Sequence, residues 1–465
     1  MSRIVIIGGG PAGYEAALVA AQIGADVTLV ERDGAGGACV LSDCVPSKTF
    51  IASSSVLTAL RGAEALGVRA DGTRASIDAS AVHERVKRLA QRQSEDIHGK
   101  VVKEGVQVVA GTARLAEDTL GHTHRVAVQP ADGAPYTIDA DAVLLATGAT
   151  PRVLADAQPD GERILTWRQV YDLPDLPEKL IVVGSGVTGA EFASAYLAMG
   201  VDVTLVSSRE HVLPSEDPEA ATALETVFRE RGMSVLDRSR AANVRRDGDG
   251  VRVELTDGRV VTGSHALITV GSVPNTAGLG LEQYGVTLGR GGFITVDRVS
   301  RTNVPGIYAA GDCTGRLMLA SVAGMQGRIA MWHALGEAVQ PLSLSTVSAN
   351  VFTDPEIATV GASQAAVDSG RVPARTVMLP LSGNPRAKMD GITDGFVKLF
   401  CRPASGLVVG GVVVAPKASE LILPIALAIE HHLSVQQLAQ TITIYPSLSG
   451  SLAEGARQLM QHEFD

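Results

Sequence analysis

One pattern occurs twice in this chain and narrows its possible folds more than any other feature: an apolar run, a glycine-rich turn, an alanine-rich stretch and a second apolar run. The first copy opens over residues 4–7, turns through Gly8-Gly9-Gly10-Pro11-Ala12-Gly13, and reaches a second run at 27–30 that ends in Glu31. The second copy opens over 180–183, turns through Gly184-Ser185-Gly186-Val187-Thr188-Gly189, and reaches its second run at 201–206. Each is followed by an alternating hairpin, 125–128 with 136–138 and 251–255 with 259–261. Each closes on an apolar run and a glycine, 142–146 to Thr147-Gly148 and 266–270 to Gly271. A continuous apolar run feeding a glycine turn and then a helix is the signature of a parallel sheet covered on both faces. The sequence therefore predicts an α/β protein with two Rossmann-like dinucleotide-binding domains.

Beyond Pro274, strands are expected at 293–296 and 306–310 and a helix at 320–335. From about residue 345 the pattern changes to α+β, with strands at 346–352, 395–401 and 407–414 and helices at 417–431 and 448–461. The expected division is residues 1–150 with 275–343 as one dinucleotide domain, 151–274 as the other, and 344–465 as a third, α+β domain.

The glycine turns bring chemistry with them. Gly8, Gly10 and Gly13, with Pro11 and Ala12, let the backbone approach a pyrophosphate at a helix N-terminus, and Glu31 stands where an adenosine ribose would be bound. Gly184, Gly186, Val187, Thr188 and Gly189 do the same in the second copy, but its strand ends in Ser207-Ser208-Arg209. An acid there repels a 2′-phosphate, whereas serine beside arginine accommodates one, so NADPH is expected and NADH possible. The bland alternative is that Arg209 is a solvated surface charge.

Cys39 and Cys44 are two of only four cysteines in 465 residues. Pro46 suits a first helical turn, which places Cys44 at the start of a helix over 47–57, where the helix field favours a thiolate. Such a pair is redox-active, metal-binding, or simply buried. No matching second Cys or Cys/His pair lies nearby, so no metal is expected.

Composition excludes other classes. Apolar residues make up 45% and charged residues 19%, too apolar for a disordered chain. A net charge of −10 and 4% aromatics argue against nucleic acid as a partner. No apolar run reaches the roughly 18 residues of a membrane span, and the first residues do not read as a signal peptide, so a cytoplasmic protein without membrane insertion is expected.

Gly36-Gly37-Ala38-Cys39, then four residues, then Cys44-Val45-Pro46-Ser47-Lys48 resembles the redox motif of the pyridine nucleotide–disulfide oxidoreductases, which include dihydrolipoamide dehydrogenase and glutathione reductase. The two glycine fingerprints, Thr302 with Gly311-Asp312, and Val351-Phe352-Thr353-Asp354-Pro355-Glu356 extend the resemblance over the whole chain. It implies a homodimer with FAD in the first fold, held also by Gly37, Ala38, Lys48, Gly111, Ala113, Thr147, Gly148, Gly311, Asp312 and Ala320. It implies NAD(P) in the second, with Gly271 and Glu191 at the site. Lys48 and Glu191 would form an ion pair beside flavin N5, Cys44 would lie against the flavin, and Cys39 would be the outward thiol.

The pattern breaks at one place. The family's His-Pro-x-x-x-Glu acid/base pair is here Tyr445-Pro446-Ser447-Leu448-Ser449-Gly450. Phenols ionise only near pH 10, too high to serve as base for a dithiol. Glu454, His431, His432 and His462 are the remaining candidates, and no spacing supports them. With this departure, the non-acidic Ser207-Ser208-Arg209 and Thr166-Trp167-Arg168-Gln169, the chain resembles the family's NAD(P)H quinone reductase branch. That implies hydride from NAD(P)H to flavin and then to a quinone-like acceptor, with Tyr445 near it. The alternatives are a disulfide reductase using Cys39 and Cys44, and a nucleotide-binding flavoprotein without turnover.

Overall fold

The computed structural model describes residues 1–69, 75–116 and 123–461. The described chain forms two compact units, one of residues 1–49, 83–152 and 271–343, the other of 50–82, 153–270 and 344–465.

The first unit is built on a seven-stranded sheet in the order Ile307–Ala309, Ala142–Leu145, Arg3–Ile7, Asp26–Glu31, Gln107–Ala116, His124–Pro130, Tyr136–Ala140. The first five strands are parallel, and the last two add an antiparallel hairpin. Both faces are covered. Ile4 and Ile6 join the core under the Pro11–Gln22 helix, while Val5 and Ile7 join a second core with Leu115, Val126 and Ile294. That two-sided burial is why the strand is uniformly apolar. The Pro11–Gln22 and Ala320–Ala334 helices touch so closely that a Cβ on Gly327 would meet the Ala12 carbonyl oxygen at 2.1 Å.

The second unit holds a five-stranded parallel sheet, ordered Ser234–Leu236, Asp202–Val206, Lys179–Val183, His265–Ile268, Ile164–Leu165, and a three-stranded antiparallel layer over 241–263. Its residues 344–465 form an antiparallel sheet ordered Ser348–Val351, Glu356–Gly361, Val408–Ala415, Phe396–Cys401, Arg375–Pro380, packed against the Leu423–Glu430 and Gly450–Gln461 helices. The fold is thus two dinucleotide-type α/β folds and a C-terminal α+β region.

Three expectations differ. Residues 293–296 form no strand, only an isolated bridge from Ile294 to Leu288, because a run of glycines (Gly289, Gly291, Gly292) turns the chain back at once. The helix expected over 417–431 is two, Ala418–Leu421 and Leu423–Glu430, since Pro424 enters at the start of a helix and cannot continue one. The helix expected over 47–57 is longer, Cys44–Gly62, and begins with Cys44 itself.

Candidate active site

In the first unit, Gly8 leaves its strand with φ +105°, and a Cβ there would stand 2.3 Å from the Ala146 carbonyl oxygen. A Cβ on Gly13 would stand 1.8 Å from the Gly8 carbonyl oxygen, so helix and strand meet backbone to backbone. Around Gly10 nothing lies within 4 Å of a would-be Cβ, which leaves that side of the turn open. Gly10 is the N-cap of the Pro11–Gln22 helix, whose first amides have no helical acceptor. The Glu31 carboxylate is fixed at the same turn: Oε2 accepts the Gly9 N–H at 2.5 Å and Oε1 the Asp33 N–H at 2.6 Å. Open space, free amides and an oriented acid fit a dinucleotide.

Other expected residues surround this cradle. Gly37 packs so closely that its Cβ would meet the Gly10 Cα at 2.9 Å, and it starts the Gly37–Leu41 helix with Ala38 and Cys39. Thr147 and Gly148 are tied to Asn275: the Thr147 hydroxyl donates to the Asn275 carbonyl at 2.7 Å, and the Asn275 N–H donates to the Gly148 carbonyl at 3.0 Å. Gly311 donates its N–H to Gln326 Oε1 at 2.9 Å, and Asp312 follows at the start of a short 3-10 turn. Burial, with the Asp43 carboxylate adding to it, pushes Asp312 up to about 6. Ala320 begins the Ala320–Ala334 helix, Gly111 has φ +156°, and Ala113 turns its side chain into the core. Gly271 (φ +94°) also falls in this unit, where its carbonyl accepts the Arg152 N–H.

Cys39 and Cys44 are both free thiols and half-buried. The Cys44 thiol donates a hydrogen bond to Cys39, and that bond holds Cys39 below the ordinary thiol range against opposition from burial, Asp43 and Asp312, with Lys48 assisting. Donating to Cys39, together with burial, pushes the Cys44 thiol up. Position at a helix start alone therefore does not lower the Cys44 thiol: of the two, Cys39 is the one held down. Lys48 lies four residues further along the same helix.

In the second unit the turn repeats the first. Gly184 has φ +113° with a would-be Cβ 2.4 Å from the Thr269 carbonyl oxygen, a Cβ on Gly189 would stand 2.0 Å from the Gly184 carbonyl oxygen, and Gly186 is open. Val187 and Thr188 form the first turn of the Val187–Ala198 helix. Ser207 is fully buried, and its hydroxyl bonds Ser185 Oγ at 2.7 Å and accepts the Arg209 N–H at 3.1 Å. Ser207 thus braces the turn from inside, while Ser208 and Arg209 are exposed. Among the described residues, no hydrogen bond or ion pair engages the Arg209 guanidinium. Glu191 is only 3% exposed, and its Oε1 accepts the Phe352 N–H at 2.9 Å.

Tyr445 is 82% exposed beside Ile442 and Ile444, just before a cis peptide bond to Pro446. Gly450 opens the Gly450–Gln461 helix. Glu454 is paired with Arg457, which holds its carboxyl below the usual range, and His431 and His432 are exposed after the Leu423–Glu430 helix. His462 lies outside the described residues. In Thr166-Trp167-Arg168-Gln169, Gln169 Oε1 accepts the Thr166 N–H at 2.8 Å and closes a local turn. Among the described residues no group of three His, Cys, Asp or Glu could hold a metal, and no helix is long and apolar enough to cross a membrane. Sequence reasoning missed Ser185, Ser194 and Asn275. Ser194 alone had a signal, its spacing of three from Glu191 on one helix.

Residues 2–327 match the family model of pyridine nucleotide-disulphide oxidoreductases, and 347–456 match that of their dimerisation domain. The chain is 60% identical to an NAD(P)H dehydrogenase (quinone) of Mycobacterium tuberculosis, covering 100% of this chain and 95% of the relative. It is 34% identical to a dihydrolipoyl dehydrogenase of Chlamydia pneumoniae, covering 98% and 97%. The crystal structure of LpdA from Mycobacterium tuberculosis superposes with a TM-score of 0.95 at 60% identity, covering 99% of this chain and 100% of that one.

Proposed function

Because the chain belongs to the pyridine nucleotide-disulphide oxidoreductase family, we propose that it is an FAD-dependent NAD(P)H dehydrogenase whose electrons leave to a quinone-like acceptor. The family implies FAD and NAD(P)H. The observation that carries the acceptor is Tyr445 and Gly450 in place of the dithiol acid/base pair, with both nucleotide turns intact. The 60% identity to a named quinone dehydrogenase supports it.

In this reading the Gly8–Gly13 turn, Glu31, Gly37, Ala38, Lys48, Thr147, Gly148, Gly311, Asp312 and Ala320 would hold FAD in the first fold, with Gly111 and Ala113 toward its adenine. The Gly184–Gly189 turn, Ser207, Arg209 and Glu191 would serve NAD(P)H. When bound, the flavin supplies a two-electron centre that accepts hydride and passes electrons on. The helix N-termini neutralise phosphate charge with amides that have no other acceptor. Lys48 adds positive charge that favours charge developing as hydride arrives. Glu191, buried and held by a backbone donor, orients the nicotinamide end of the coenzyme. Arg209 offers a free guanidinium to a 2′-phosphate, so NADPH is preferred and NADH accepted, while Ser207 acts indirectly by bracing Ser185. The match of 347–456 to a dimerisation domain, with exposed Ile442, Ile444 and Tyr445, supports a homodimer that places Tyr445 near the partner subunit's acceptor. We assign the protein to the cytoplasm on its sparse cysteines, four in 465 residues.

The second reading, a disulfide reductase, is favoured by the hydrogen-bonded thiols. Assays of the purified enzyme with NADPH and either a benzoquinone or lipoamide separate the two. Rapid benzoquinone turnover that survives Cys39→Ser is expected; robust lipoamide turnover abolished by Cys39→Ser would overturn the quinone reading.

A further inference from the structure

We propose that Ser194 and Arg231 are positioning residues for Glu191, acting through the backbone of residues 352–354; this rests on the reading of Glu191 as the carboxylate that orients the coenzyme. Glu191 and Ser194 lie three residues apart on the Val187–Ala198 helix and so share one face. Phe352 and Asp354 lie two residues apart in the Val351-Phe352-Thr353-Asp354-Pro355-Glu356 motif, to which no chemistry has so far been attached. The two spacings match: the Phe352 N–H reaches Glu191 Oε1 at 2.9 Å, and the Asp354 N–H reaches Ser194 Oγ at 3.1 Å.

Arg231 grips the same segment. It caps the Pro218–Glu230 helix, and its Nη1 donates to the Asp354 carbonyl at 3.2 Å and to Asp354 Oδ2 at 2.8 Å. Between the two donors, the Thr353 hydroxyl is buried and donates to the Pro355 carbonyl at 2.7 Å, which holds the turn's shape from within. Ser194 is 6% exposed and Glu191 3%, so water cannot readily substitute for either contact. A buried carboxylate depends on its few donors. The Arg231–Asp354 pair is more than a third exposed and adds little to stability by itself. Its consequence is geometric: it fixes where the amides of residues 352–354 stand, and hence the direction in which the Glu191 carboxylate faces.

The test uses the holoenzyme and its Ser194→Ala, Arg231→Ala and Arg231→Lys variants, with two readouts. One is the infrared carboxylate band of Glu191, assigned by its loss in Glu191→Gln. The other is the limiting rate of flavin reduction on rapid mixing with NADPH. Both alanine variants should move the band and slow reduction about tenfold, the scale of a small misplacement of a reacting group. The dissociation constant of NADPH should stay within about twofold, Arg231→Lys should recover most of the rate, and the double variant should fall little beyond the worse single one because both act through one segment. An unmoved band with wild-type reduction in both variants overturns the proposal, even where melting temperature drops. If NADPH fails to reduce the wild-type flavin, the hydride-transfer reading falls, while the infrared band still decides whether Ser194 and Arg231 hold the carboxylate.

Discussion

Asp312 carries a cost that shows at the scale of one residue. Burial first, then Asp43, raises it from 3.8 to about 6. The folded chain therefore binds this proton more tightly than the unfolded chain. The stabilisation it brings is complete below about pH 4 and is lost as pH rises through about 6. Flavin-free Asp312→Asn should thus gain up to about 3 kcal/mol at pH 7 and almost nothing at pH 4, read as a melting-temperature difference at the two pH values. Equal effects at both would refute it. At this scale the sequence was legible in part. Residue types that must occupy a cradle were evident, as with Gly8, Glu31 and Gly184. Partnerships were not. That Ser207 turns inward depends on Ser185, and that Cys39 rather than Cys44 is held below the ordinary thiol range depends on which thiol donates, neither of which spacing encodes.

Elements repeat what the glycines require. In both folds a Cβ on the third glycine of the turn would meet the carbonyl oxygen of the first, at 1.8 Å for Gly13 and 2.0 Å for Gly189. A methyl group cannot be placed there without pushing helix from strand. Gly13→Ala should therefore yield protein that loses FAD on gel filtration. Gly189→Ala should keep its flavin yet be reduced by NADPH at least about tenfold more slowly, since the pyrophosphate loses its close approach. Flavin retained in Gly13→Ala would show that the first turn does not hold it. Strands buried on both faces were easy to read, because a run such as 4–7 has one apolar pattern for two cores. The Ala79–Lys103 helix was hidden by its composition. Only His83, Val86, Ala90, Ile97 and Val101 with a few neighbours turn inward, and Glu84, Arg85, Lys87 and Arg88 dominate the local sequence. At 293–296 apolar residues proved to be packing, not pairing: Ile294 enters a core without a ladder.

On the scale of the whole molecule, a buried cation fastens distant parts of the second unit. Lys398 lies in the fully buried Phe396–Cys401 strand at 1% exposure. Its ammonium donates to Asp217 at 2.7 Å, Glu219 at 2.8 Å and Gln364 at 3.2 Å. Asp217 also caps the Pro218–Glu230 helix, so one carboxylate serves helix and sheet together. Lys398→Met, which strands buried acid, should cost about 3–5 kcal/mol in urea unfolding, and adding Asp217→Asn with Glu219→Gln should recover much of it. A neutral Lys398→Met would show that the pair is not what joins them. No sequence pattern announces such a contact, because its members lie about 180 residues apart and a lysine inside a strand reads as solvent-facing. The serine pair at the second turn bears on what position 207 can hold. An acid at position 207, the residue type that binds an unphosphorylated ribose, would arrive where Ser185 already fills the inner side. Any change at 207 therefore carries with it the loss of the hydrogen bond that braces the glycine turn, whatever it gains at the coenzyme.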